Sequence, residues 1–304
     1  MGTRTVAETI REITRAHLEG GGMLLGESIS AVGWVNNTVP DAGNIMELPM
    51  TDVAGAGIAV GSALAGRRPI FVVRFQDFLI LNGSPLIFYA AKLKGLHEKS
   101  APVFVRAIAA EGLGPVHSGV LHSLFMHFPG FKVASPMTPR EYEDVWRVYM
   151  ESDDPFICSE HRASYSNKDE LTDEIMAGAD ITIYAISATR FEAKKAARLL
   201  KNDGVRCNVV NIVWLKPFTL TKRITEPLKE SRIGLVVDPG HEIAGASESI
   251  AYALMIHTGF PVKALGLEDR TKCLCPPLQN RAPDAGRIVE AAKELLAGAG
   301  RVFT

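Results

Sequence analysis

The chain has 304 residues, 47% of them apolar, and its 33 basic and 34 acidic side chains leave a net charge of −1. That is enough apolar material for a sizeable core and for two domains. It excludes the clustered basic face of a nucleic-acid binder and the composition of a disordered chain.

The first twenty residues, Met1 to Gly20, are charged and amphipathic, without the central apolar block of a secretory leader. No apolar run approaches the ~20 residues of a membrane span. From there, apolar β-rich runs alternate with helical patterns. Strands are expected at Met23–Glu27, Ile70–Phe75, Val103–Ile108, Lys132–Ser135 and Pro155–Ser159, with helices at Val6–His17, Val53–Ala65, Leu86–Leu96 and Pro139–Glu151. This is the alternation of a parallel sheet covered on both faces. A polar stretch, Ser164 to Asp180, has linker composition and sets a domain boundary near residue 175. The alternation then restarts. Strands are expected at Ile181–Ile186, Arg206–Ile212, Gly234–Asp238 and Val262–Leu267, and helices at Arg190–Lys201, Thr221–Glu230, Ser247–His257 and Pro283–Leu296. The expected organisation is α/β throughout, with domains at 1–175 and 176–304.

The four cysteines, Cys158, Cys207, Cys273 and Cys275, read as reduced thiols of a cytoplasmic protein. The single residue between Cys273 and Cys275 is too short a spacing for the usual zinc pair.

Ligands of an open parallel sheet sit beyond the C-terminal ends of its strands. The polar residues expected there are Glu27, Asp52, the segment Phe75 to Phe78 and the loop Ala109 to Gly119. The block from Glu47 to Phe78 is the most informative. Asp52 opens a helix of small residues ending at Gly66, and the next strand delivers Phe75 and Phe78 at its far end. An acid and an aromatic so placed can hold a flat heteroaromatic ring and exchange a proton with it. The plainer readings are a first-turn acid favoured by the helix dipole at Asp52 and a solvated loop acid at Glu27. The run of glycines places Gly61 one position late for a dinucleotide fingerprint, which leaves close helix packing as its reading. His117, His122 and His127 recur at intervals that do not share a helical face, so one catalytic histidine, His117, is favoured over a metal site. Neither a nucleophile elbow nor a GxxxxGK phosphate loop is present.

Several segments together carry a family resemblance. They are LLGES (Leu24–Ser28), GAGIAVGSALAGRRPI (Gly55–Ile70), FQDF (Phe75–Phe78), AAKL (Ala90–Leu93) and the pair His117–Ser118. Further on come HFPGFKVASPMTP (His127–Pro139), SDDPFICSEH (Ser152–His161), LKP (Leu215–Pro217), VVD (Val236–Asp238) and PPL (Pro276–Leu278). In this order they resemble the β subunit of the first component of 2-oxo acid dehydrogenase complexes, of the pyruvate and branched-chain type. That family belongs to the transketolase-like thiamine diphosphate superfamily. The resemblance implies an N-terminal pyrimidine-binding parallel-sheet domain and a transketolase-type C-terminal α/β domain.

It also implies a cofactor shared between chains, with thiamine diphosphate's phosphates and Mg²⁺ held by an α subunit in an α2β2 assembly. A lipoyl acyltransferase is a candidate further partner. Asp52 takes the position of the family's catalytic glutamate, which bonds the pyrimidine nitrogen and drives its amino–imino shift. Phe78 falls on the stacking aromatic, Glu27 on a second acid near the ring, and His117 on an active-site histidine acting on substrate-derived groups. No metal ligand is carried over to this chain. The departures are Asp52 in place of Glu, a shorter loop at Ile29 to Met46, and Ser84-Pro85 and Phe88 where the family has Asp-Gln and Asn. They imply a divergent member. Two rival expectations stand beside it. One is the C-terminal subunit of a split transketolase, with Arg74, Arg106 and Arg162 as candidate phosphate ligands. The other is a non-catalytic scaffold or regulator.

Overall fold

A computed structural model describes residues 4–271 and 280–302. Cys273, Cys275 and the segment Pro276–Leu278 lie outside the described residues. The chain forms two compact units, one comprising Met1–Glu170 with Leu215–Pro217 and the other Leu171–Trp214 with Phe218–Thr304.

The first unit is built on a sheet in the order β2-β1-β3-β4-β6-β5-β9. The strands are β1 (Met23–Glu27), β2 (Ile45–Leu48), β3 (Pro69–Val73), β4 (Phe104–Ala109), β5 (Lys132–Ala134), β6 (Phe156–His161) and β9 (Trp214–Lys216). β1 runs parallel to β2 and β3, β3 to β4, β4 to β6 and β6 to β5. Every residue of β3, β4 and β6 is buried, as strands covered on both faces require. The covering helices include α1 (Val6–Glu19), α3 (Val53–Leu64) and α7 (Pro139–Met150). Thr5 starts α1 with a capping box shared with Glu8, and Thr138 accepts the Glu141 N–H at the start of α7, with Pro139 at the first helical position.

The second unit has a four-stranded parallel sheet, β11-β10-β7-β8, formed by β7 (Ile181–Ile186), β8 (Cys207–Ile212), β10 (Gly234–His241) and β11 (Val262–Leu267). Ile181, Ile183, Leu235 and Val237 form its core with α8 (Thr189–Asn202) and α11 (Ala285–Val302). Two further helices, α9 (Lys222–Ser231) and α10 (Ala246–Thr258), complete it.

The mixed α/β architecture with parallel sheets agrees with the sequence reading. The differences are local. β9 belongs to the first sheet although it lies deep in the second half of the chain. The stretch expected as a linker is partly ordered against the second sheet, where Glu174 bridges Val209. The expected helix Leu86–Leu96 is instead a broken series: α4 (Leu79–Pro85), one π-turn at Leu86–Ala90, and α5 (Leu93–His97). Several short segments have no counterpart among the expected elements, among them the edge strand β2 and α2 (Ala31–Asn37), in which Gly33 to Asn37 wind left-handed with φ between 53 and 62°. The close-packing reading of the α3 glycines holds at Gly55, where a Cβ would meet Leu48 at 3.0 Å, and fails at Gly57 and Gly61, which face open space.

Candidate active site

The C-terminal ends of β1 and β3 and the start of α3 border a cleft of about 350 Å³. The four residues singled out from sequence, Glu27, Asp52, Phe78 and His117, all line it. They come from four separate segments, brought together by the parallel order β2-β1-β3 and by the loop between β4 and α6 (His122–His127).

Asp52 stands at the start of α3 with φ 39° and ψ −84°, and its side chain caps none of the helix amides. Glu27 Oε1 accepts the N–H of Thr51 (2.9 Å) and of Asp52 (2.5 Å), the two residues just ahead of the helix. Asp52 keeps its place at the N-terminal end of α3, where the helix dipole favours an acid, whereas Glu27 is held by backbone amides and is not a merely solvated loop acid. A second acid reciprocates from the neighbouring strand. Glu47, paired with Gly26 in the β1–β2 register, accepts the N–H groups of Ile29 (3.1 Å) and Ser30 (2.9 Å). Each strand-end carboxylate thus holds the loop that leaves the other strand. Between them they fix Ser28, with φ 53°, and Asp52 in backbone conformations that cost of order 1–3 kcal/mol.

Asp52 lines the cleft, and its side chain caps no helix amide. Its partner there is Asn82 on α4, whose Nδ2 donates to Asp52 Oδ1 (3.3 Å) and to the Phe78 carbonyl (2.9 Å). Asn82 is 3% exposed, and its Oδ1 is buried without a partner. A native structure rarely leaves such an oxygen unmet, so a donor from a ligand is its natural complement.

The opposite wall is aromatic. Phe75, Phe78 and His117 meet edge to face, with centroids 4.6 Å apart for Phe75–His117, 5.6 Å for Phe78–His117 and 6.1 Å for Phe75–Phe78. The loop carrying His117 is pinned from below by the same FQDF segment. Asp77 Oδ2 accepts the Gly119 N–H (2.8 Å), Gln76 Oε1 accepts that of Leu121 (2.7 Å), and Ser118 Oγ accepts that of Leu113 (3.0 Å). A Cβ at Gly119 would sit 2.6 Å from Asp77 Oδ1, so that carboxylate would have to shift to admit one.

Neither of the other two histidines lines the cleft. His122 is buried, with Nδ1 3.0 Å from Ser159 Oγ, and His127 is exposed beside Phe128. Of the candidate phosphate ligands, Arg106 is fully buried in a fork to Glu160 (2.7 and 2.9 Å), which Tyr142 and Tyr165 also bond, so it faces no ligand. Arg74 lines the cleft. Sequence reasoning missed Asn82, whose signal was an amide in the apolar run LILNG, one helical turn after Phe78. It also missed Gln76 and Asp77 as anchors of the His117 loop.

An acid, an orphan amide oxygen and an aromatic wall suit a planar ring bearing both a basic nitrogen and an amino group. Among the described residues no group of three His, Cys, Asp or Glu side chains could hold a metal ion. No described helix is long and apolar enough to cross a membrane.

Fold and cleft together define an α/β protein with a cleft at the carboxyl end of a parallel sheet. Comparison with known proteins makes this specific. Residues 19–168 match the transketolase pyrimidine-binding domain and residues 172–279 the transketolase C-terminal domain. The chain belongs to the transketolase-like family. It is 26% identical over 279 residues to the β subunit of acetoin:2,6-dichlorophenolindophenol oxidoreductase of Cupriavidus necator, spanning 84% of this chain and 81% of that one. It is likewise 26% identical over 271 residues to the β subunit of the pyruvate dehydrogenase E1 component of Rickettsia felis, spanning 83% of each. Among solved structures, an inactive β4 tetramer of a split-gene transketolase superposes with a TM-score of 0.75 at 16% identity, over 97% of this chain and 99% of that one, a likeness of fold.

Proposed function

We propose that this chain is the β subunit of a two-chain thiamine diphosphate enzyme that decarboxylates a 2-oxo acid, or cleaves a ketose or acyloin, and passes on the acyl or two-carbon unit. The observation that carries the reading is the division of labour between two acids. Glu27 holds the amides of Thr51 and Asp52 and so fixes the turn into α3, and Asp52, whose side chain caps no helix amide, lines the cleft.

The cofactor, when bound, supplies a carbon nucleophile for the substrate carbonyl. This chain's residues act on its aminopyrimidine side. Asp52 exchanges a proton with the ring nitrogen, Asn82 Oδ1 accepts from the exocyclic amine, and Phe78 lies against the ring face. His117 holds or returns a proton at the substrate oxygen. Aspartate is one methylene shorter than the glutamate that the family resemblance implies. In this reading the backbone turn at Asp52, set by Glu27, makes up the reach.

The diphosphate and its Mg²⁺ belong to an α subunit. An apolar surface beside the cleft suits such a partner: Val53, Ile58 and Leu64 on α3 and Ile80 and Leu81 on α4 are each between 44 and 66% exposed. An α2β2 assembly follows the family pattern, with lipoamide or an aldehyde as acceptor. The buried, reduced Cys158 and Cys207 suit a cytoplasmic setting.

Calorimetry with thiamine diphosphate and Mg²⁺ tests the sharing of the site. Binding by the assembled pair is expected, and none of comparable strength by this chain alone. Tight binding by the lone chain contradicts the shared site.

A further inference from the structure

His122 opens α6, directly after the loop that carries His117, and is fully buried. Its Nδ1 stands 3.0 Å from Ser159 Oγ on β6, and the same hydroxyl oxygen accepts an N–H of Gln76 (2.7 Å). Gln76 gives its other N–H to the Ala107 carbonyl of β4 (2.9 Å), and its Oε1 accepts the Leu121 N–H (2.7 Å). Leu121 and His122 are neighbours in the chain, so amide, glutamine, serine and imidazole close a ring of hydrogen bonds. The Gln76, Ser159 and His122 side chains in it are all fully buried. Ala107 and Ser159 are partners in the β4–β6 register, so the ring is anchored on the sheet itself.

The directions of these bonds follow from which atoms can donate. Gln76 cannot be turned end for end, because its NH₂ would then face the Leu121 N–H and its oxygen the Ala107 carbonyl. Ser159 Oγ therefore accepts from Gln76. Among the described residues, His122 Nδ1 is the acceptor within hydrogen-bond reach of the Ser159 hydroxyl. The hydroxyl donates to it, which leaves His122 neutral, with its proton on Nε2. A proton on Nδ1 would strand the hydroxyl hydrogen in the core, which native structures rarely tolerate.

We infer that His122 is a positioning residue for His117, acting through Ser159 and Gln76 on the end of the loop between them. With the Gly119 N–H held by Asp77, the ring fixes that loop two and four residues after His117. The imidazole of His117 is thereby set edge to face against Phe75 and Phe78, with centroids 4.6 and 5.6 Å away. A group that hands a proton to a substrate needs such support, since misplacement of about 1 Å can cost on the order of 10²-fold in rate. The inference rests on His117 handling a proton as proposed above, but the hydrogen-bonded ring itself requires neither cofactor nor partner.

The test is NMR of the histidine rings in the full chain at neutral pH. The wild type is expected to show His122 with a bare Nδ1 and a proton on Nε2, and His117 with proton signals displaced by the rings of Phe75 and Phe78. In Ser159→Ala and in His122→Leu the displacement at His117 is expected to shrink, and solvent exchange of the Leu121 amide to quicken about tenfold. His122→Asn, whose side-chain oxygen can stand in for Nδ1, is expected to stay close to the wild type. Circular dichroism establishes that each variant is folded. In the assembled pair, Ser159→Ala is expected to lower kcat when His117 is present and to add nothing to His117→Ala. A proton on Nδ1 of His122 overturns the inference. So do unmoved His117 signals in folded Ser159→Ala, and so do losses of turnover that simply add. Because the NMR samples contain no thiamine diphosphate and no substrate, a failure of the cofactor reading leaves their outcome standing.

Discussion

Asp52 holds its acid on a backbone that aspartate seldom adopts, with φ 39°. Nothing in the residue itself compels that conformation. It is imposed by the short bond from the Asp52 amide to Glu27, a residue that the sequence suggests as a second acid near the ring. In the structure Glu27 lines the cleft, and one of its oxygens is committed to the chain. Its contribution is therefore to place Asp52. Asn82 completes the arrangement from the other side, tethering Oδ1 of the acid to α4. Removing that amide loosens the carboxylate and deletes an acceptor from the cleft. Misplacement of about 1 Å can cost on the order of 10²-fold in rate. Asn82→Ala is accordingly expected to lower kcat of the assembled complex by roughly ten- to a hundredfold, with the variant still folded by circular dichroism. Steady-state kinetics at saturating cofactor measure it, and an unchanged kcat removes Asn82 from the site.

At the scale of elements, what can be read from sequence depends on whether local pattern or long-range contact decides the structure. The buried strands β3, β4 and β6 are continuous apolar runs, and α1 and α7 carry caps and amphipathic spacing, so these are legible. β2 is not. It has four residues, two of them exposed, and owes its existence to pairing with β1. The expected helix at Leu86–Leu96 is instead a π-turn over Leu86–Ala90, closed by Ala91 N–H to Leu86 O, followed by α5 from Leu93. The left-handed turn is the least legible. Asn36 and Asn37 tolerate it, but Trp34 and Val35 do not favour it, at about 1–2 kcal/mol each. It is held in place by burial of Val35 and by Thr38, whose hydroxyl donates to the Val35 carbonyl and accepts from the buried Arg106.

The end of α1 carries a pH response of its own. His17 packs edge to face on Trp146, with Nε2 2.6 Å from the Arg68 carbonyl, and burial pushes its imidazole below the ordinary value. A lowered folded-state value means that the native state favours the neutral ring while the unfolded chain takes up the proton first. The stability contribution is therefore complete above about pH 6.5 and is lost as the pH falls below it. Thermal unfolding followed from pH 7.5 to 5.5 is expected to show a steeper fall in Tm for the wild type than for His17→Gln, which can still donate to Arg68. Parallel curves would exclude the effect.

For the molecule as a whole, the four candidate residues could be grouped from sequence because they follow strand ends, and they line one cleft. A parallel sheet gathers such positions at one edge whatever their separation in sequence. The supporting shell of Asn82, Glu47, Gln76 and Asp77 could not be, since each acts through contacts between segments 17 to 45 residues apart. In the proposed enzyme the chain is half of an active site. It supplies the acid, the aromatic wall and the imidazole, and a partner grips the phosphates. The most direct test of the proton-transfer role is turnover by the assembled pair carrying Asp52→Ala, compared with the wild type at saturating thiamine diphosphate and Mg²⁺. A fall in kcat of about a hundredfold or more, with the complex intact, is the result expected of a group that moves the cofactor's proton. Unaltered turnover by the Ala variant would contradict that role and the proposal built on it.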